Sequence, residues 1–94
     1  MISCDGGRCA VQGPLTIDNA AAVLEASHPL FAGGVVSVDL AQVTEVDSSA
    51  IGLLLEWRRG AERLQRKIEF INLPENLKSL AALYGVSEFI TGNP

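Results

Sequence analysis

The sequence predicts a single α/β domain, a small mixed β-sheet with helices packed on one face. Three observations lead there. Short β-branched runs alternate with longer stretches whose apolar residues recur every three or four positions, the pattern of strands and amphipathic helices in turn. Such an order folds as an open sheet with helices laid against it. The 94 residues contain no linker, low-complexity tract or internal repeat, so residues 1–94 read as one domain. The composition, 48% hydrophobic against 19% charged, supplies enough apolar surface for a core and excludes a disordered chain.

Each element has its own signal. Ile2–Cys4 and Arg8–Gln12 read as short strands joined by Asp5-Gly6-Gly7, a turn sequence that accepts positive φ. Gly13-Pro14 is expected to end this hairpin. Thr16 or Asp18 then caps a helix to about Leu30, with Ile17, Ala20, Ala21, Leu24 and Phe31 at helical spacing. Gly33-Gly34 break that pattern. Val35–Leu40, β-branched and poor in polar residues, is expected to be the central and most buried strand, and Ala41–Val46 a loop. The clearest helix follows, opened by the capping residue types Asp47, Ser48 and Ser49. Its apolar stripe is Ala50, Leu53, Leu54, Trp57, Ala61 and Leu64, widened by Ile51 and Leu55. Its other face carries Ser49, Gly52, Glu56, Arg59 and Arg63. Lys67–Ile71 reads as a strand and Asn72–Tyr84 as a third helix, lying beside the second, with Leu73, Leu77, Leu80, Ala81 and Tyr84 inward. Gly85 is its natural stop, and Val86–Ile90 can add a short last element. Trp57 and Tyr84 belong to residue types enriched at interfaces, but both fall on apolar stripes and are assigned to the core.

Bulk charge excludes some functions. The net charge is −4, and adjacent basic residues occur only as the pairs Arg58-Arg59, within a helix, and Arg66-Lys67. Nucleic acid and anionic membrane surfaces call for a concentrated positive field that this chain does not offer. The first ten residues lack the basic and apolar regions of a secretion signal, and the longest apolar run, near Ala50–Leu55, is too short to cross a bilayer. A cytoplasmic location is the expectation, and with it two reduced, buried thiols at Cys4 and Cys9. Two thiols and a distant His28 do not complete a zinc shell, so neither metal nor cofactor is expected.

No catalytic constellation appears either. There is no Gly-x-Ser-x-Gly elbow, no phosphate-binding glycine loop ending in Lys-Ser/Thr, and no spacing that forces two carboxylates into an acid/base pair. What remains is Val46-Asp47-Ser48-Ser49-Ala50-Ile51-Gly52. Aspartate and serine are among the best N-cap residues, so capping alone accounts for them. The first turn of a helix also presents unpaired N–H groups and a positive dipole end. A phosphate on Ser48 or Ser49 would be stabilised there and would place nearly two negative charges on a contact surface.

The segment Asp47-Ser48-Ser49-Ala50-Ile51-Gly52 resembles the signature of STAS domains, the family of anti-sigma factor antagonists. The resemblance extends over Ile2 to Ile90. Within the family it is greatest to MlaB-like proteins, small subunits of the ABC complex that maintains outer-membrane lipid asymmetry. Val46–Trp57 and Asn72–Val86 carry that likeness, the Leu83-Tyr84-Gly85-Val86 ending most selectively. The resemblance implies a non-catalytic domain that binds protein partners. In anti-sigma antagonists the second serine of the motif is phosphorylated, which falls on Ser49; in MlaB-like proteins the hydroxyl after the aspartate matters, which falls on Ser48. Ala50 stands where antagonists often have glycine. The leading expectation is a subunit that binds the ATPase of a phospholipid-transport ABC complex through Asp47, Ser48, Ser49, Gly52 and Glu56. The alternative is a switch that binds an anti-sigma factor kinase and is controlled by phosphorylation at Ser49.

Overall fold

A hairpin opens the chain: β1 (Ile2–Asp5) and β2 (Arg8–Leu15) pair antiparallel. Gly6 and Gly7 make the turn at φ of 59° and 85°, a region glycine enters without steric cost. The structure is a computed structural model and describes residues 1–31 and 37–91. Helix α1 (Ala20–Phe31) carries the chain over to β3 (Ser37–Val46), parallel to β2. Helix α2 (Ser48–Arg63) makes the second crossover, to β4 (Glu69–Ile71), parallel to β3. Two helices follow, α3 (Glu75–Leu83) and α4 (Ser87–Thr91). The sheet order is β1-β2-β3-β4, mixed as expected, with β3 between two parallel neighbours.

Burial alternates along the strands. Cys9 and Val11 of β2, Val38 and Leu40 of β3, and Phe70 of β4 are buried, whereas Arg8, Ser37, Asp39 and Glu69 beside them are not. One face of the sheet therefore carries the core, and the helices cover it. Helix α2 supplies Ala50, Ile51, Leu53, Leu54 and Trp57 to that core and packs between α1 and α3. Trp57 is central to it. Its ring lies 5.2 Å from Phe31 and 6.5 Å from Phe70, centroid to centroid. Its indole N–H donates to Ser27 Oγ at 2.9 Å. Ser27 is itself buried and donates to Leu24 O at 2.6 Å, so the pair satisfies its polar atoms inside the core.

Several expectations need correction. β2 does not stop at Gly13-Pro14. The sheet register slips there, Gly13 takes φ 86°, and exposed Pro14 sits in the irregularity, where its missing N–H costs no ladder bond. Ala41–Val46 is strand, not loop. Ala10 and Gln12 pair with Asp39 and Gln42, so β3 carries one extra residue, and the inward positions move from Val38 and Leu40 to Val43. That shift breaks the period of two by which a strand is read. Val38 and Leu40 are fully buried, as expected of the central strand; Gly33, Gly34, Val35 and Val36 lie outside the described residues.

Helix α1 begins later than Thr16 or Asp18 suggested. Asn19 Oδ1 accepts from Thr16 N at 2.8 Å and Ala20 N bonds back to Thr16 O. Ile17 is thereby left in the connection, 76% exposed, and Ala21 is also outward; Val23 and Ser27 take the buried face. Leu64 and Tyr84, expected inside, are the C-cap residues of α2 and α3 and lie 64% and 52% exposed, because the chain turns away from the core there. Gly85 follows α3 at φ 69°, the expected stop. Finally, the cysteines are not free thiols. Cys4 and Cys9 face each other across the hairpin and form a disulfide, Cys9 fully buried and Cys4 half-buried.

Candidate functional site

The parallel strand β3 ends at Val46 and delivers Asp47 directly to the start of α2. Asp47 has extended backbone angles (φ −138°, ψ −169°), and its Oδ1 accepts from Ser49 N at 2.8 Å. This is the capping role that the sequence suggested. Its other oxygen does something the sequence did not show: Oδ2 accepts from Ile17 N at 2.9 Å, across 30 positions of chain. One carboxylate thus ties the β2–α1 connection to the first turn of α2. The Ile17 N–H does most to hold the Asp47 carboxyl below its ordinary range; partial burial opposes it, and the Ser49 N–H and hydroxyl add smaller pulls downward.

The two serines differ. Ser48, the first residue of α2, is exposed. Ser49 is half-buried and its N–H is already taken by Asp47. Ala50 N is taken as well, by Asp47 O at 3.0 Å. Ser49, Gly52 and Glu56 come together as expected: with Arg59 they line one wall of a shallow groove of about 420 Å³, and Ala20 and Leu24 of α1 line the other. Ser48 is not part of that lining and stands at its head in sequence. Glu56 pairs with Arg59 at 3.0 Å, both side chains substantially exposed, a contact of small energetic weight.

Gly52 is informative. It is exposed, and a Cβ built on it would meet nothing within 4 Å. Packing inside the chain does not require a glycine there, although glycine inside a helix is less favourable than alanine by roughly 0.5–1 kcal/mol. Ile17 and the α1 wall were not found from sequence. The available signal was Asn19, a residue type common at helix starts, directly before Ala20-Ala21-Ala22; its side chain accepts from Thr16 N and donates to Pro14 O. Among the described residues, no group of three or more His, Cys, Asp or Glu side chains is placed to hold a metal ion, and no helix is long and apolar enough to cross a membrane. The arrangement offers hydroxyls, a fixed carboxylate and an open helix face, which suit recognition of a surface.

Comparison with known proteins gives three positive findings. The sequence pattern of the family described as "Mlab, STAS domain" matches residues 4–91. The structure of the anti-sigma factor antagonist SpoIIAA in its unphosphorylated form is similar over 97% of this chain and 84% of its own, with a TM-score of 0.73 and 16% identity; at that identity the likeness is one of fold. A crystal structure described as Mglu is similar over 80% of this chain, with a TM-score of 0.59 and 28% identity, and the match spans 19% of that longer protein. No curated protein sequence matches significantly.

Proposed function

Because the chain belongs to the MlaB-like STAS-domain family, we propose that it is a non-catalytic subunit of a bacterial phospholipid-transport ABC complex, where it binds and stabilises the ATPase subunit on the cytoplasmic side. The observation that carries this reading is the open face of α2. Exposed Ser48 stands at its start, and Ser49, Gly52 and Glu56 continue it along the groove beside α1. Gly52, which no neighbour in the chain requires, leaves room for a partner's backbone or side chain to approach closely. Asp47 fixes the start of this surface by tying the Ile17 connection that leads into α1 to the first turn of α2.

The second reading, an anti-sigma factor antagonist switched by phosphorylation at Ser49, finds less support in the local geometry. Ser49 is half-buried, and a phosphate there would lie close to the Asp47 carboxylate that its own N–H binds, a like-charge contact. Co-expression of the tagged chain with the ATPase subunit of a lipid-transport complex tests the first reading, and co-expression with an anti-sigma factor kinase tests the second. Stable co-purification of the ATPase alone is the expected result. Recovery of the kinase alone, with ATP-dependent phosphate incorporation at Ser49, would replace the first reading with the second.

A further inference from the structure

A second, larger depression lies between the C-terminal halves of α1 and α2, away from the Asp47 loop. It has a volume of about 630 Å³, and its apolar lining includes Leu24, Phe31, Trp57, Leu64 and Ile68. Leu64 is 64% exposed, so the depression leaves apolar surface open to water. Its polar lining is His28, Glu56, which is paired with Arg59, and the two arginines Arg63 and Arg66. Both arginines are exposed, Arg63 in the last turn of α2 and Arg66 just beyond it, and among the described residues neither has an ion pair, unlike Arg58 and Arg59, which pair with Glu62 and Glu56. Five of the seven Lys and Arg residues of this acidic chain fall between Arg58 and Lys67, so the local charge opposes the net charge.

From this geometry we propose that the cleft binds an amphipathic carboxylate, a single fatty-acyl anion. The tail lies over Leu24, Trp57 and Ile68, and the carboxylate is held by Arg63 and Arg66. A mostly apolar site with a few converging polar groups is the usual form of a small-molecule pocket, and the volume falls within the roughly 300–1,000 Å³ such sites occupy. Guanidinium groups match a carboxylate in charge and in planar geometry. The inference does not depend on the ATPase reading, which centres on the Asp47 end of α2, although Leu24 and Glu56 border both depressions.

Trp57 is the only tryptophan and lines the cleft, so its emission reports occupancy directly. The probe is laurate, kept below its micelle concentration and titrated into the purified full chain, with dodecanol as the uncharged control. Saturable binding with a shift of Trp57 emission is expected, together with about tenfold weaker binding of dodecanol. Replacing the two arginines (R63Q with R66Q) is expected to weaken laurate by at least a similar factor without moving the thermal midpoint, since both side chains are exposed. Absence of saturable laurate binding, or equal affinity for laurate and dodecanol, or no effect of the arginine replacements on a folded protein, would each overturn the proposal. Loss of ATPase association in L64E, with no laurate binding by the parent chain, would assign the cleft to a protein helix instead.

Discussion

Asp47 bonds the backbone N–H of Ile17 at 2.9 Å while capping α2 through Ser49 N at 2.8 Å. Both bonds are to the ionised carboxylate, and together they lower its pKa, the Ile17 bond most. A group whose folded pKa is depressed stabilises the fold above its unfolded pKa, about 3.9 for aspartate, and that contribution is lost as pH falls through the lower folded value. Asp47→Asn is therefore expected to lower the thermal midpoint at neutral pH, and the difference from wild type should narrow on acidification below pH about 4. Thermal melts of both proteins between neutral and acid pH check this. A difference that stays constant through that window would mean that the charge of Asp47 contributes nothing.

The Ser27–Trp57 bond inside the core sets a second expectation. Ser27→Ala leaves the buried indole N–H without its acceptor, at a cost of about 1–3 kcal/mol. For a chain of this length each kcal/mol corresponds to a shift of about 4–8 °C in the thermal midpoint. In a Trp57→Phe background the same serine change should cost clearly less, because the partner has already gone. Chemical denaturation of the four proteins measures the coupling, and additive losses would show that the bond carries no net stability.

The Cys4–Cys9 disulfide joins neighbours across a tight hairpin. It closes a short loop, so chain entropy assigns it only about 2 kcal/mol. Reduction should lower the thermal midpoint of the native chain and leave a Cys4→Ala/Cys9→Ala variant unmoved. A native chain whose midpoint ignores reductant would show that the bridge is not formed in solution.

Gly52 separates stability from binding. Gly52→Ala adds a Cβ that meets nothing within 4 Å, and should stabilise the isolated chain by roughly 0.5–1 kcal/mol. On the proposed docking face, a larger residue such as Gly52→Leu should leave the fold intact and weaken ATPase association. Parallel measurement of midpoint and affinity checks both, and unaltered affinity in Gly52→Leu would move the contact away from this stretch of α2.

What could be read from the sequence followed the strength of local periodicity. Helix α2 is long, capped by Asp47 and strongly striped, and its start was foreseen at Asp47–Ser49. β3 was foreseen only as far as Leu40, since the extra residue opposite Ala10–Gln12 changes which side chains face inward. Ile17 fits an apolar helical pattern yet lies outside α1, because Asn19, not Thr16 or Asp18, stands at the helix start. Leu64 and Tyr84 continue their stripes in sequence, but each sits where its helix has ended. At the candidate site, the Asp47 cap and the grouping of Ser49, Gly52 and Glu56 follow from helix geometry alone. The Ile17 bond spans the fold, and no local pattern reports it. The hairpin placed Cys4 opposite Cys9, but the expectation of a reducing location decided against their bridge.

If the start of α2 docks the ATPase, as proposed, Ser48 reports that contact most cleanly. Asp47, not Ser48, caps the helix, so Ser48→Ala should cost less than the roughly 0.5–2 kcal/mol of a lost cap and leave the midpoint nearly unchanged. The decisive measurement is the affinity of the purified ATPase subunit for wild type, Ser48→Ala, Ser49→Ala and Ser49→Asp, with the midpoint of each recorded beside it. Ser48→Ala and Ser49→Asp are expected to bind about tenfold more weakly or worse while remaining folded, with Ser49→Ala milder. Wild-type affinity in all three folded variants would contradict the claim and leave Asp47-Ser48-Ser49 as a helix cap.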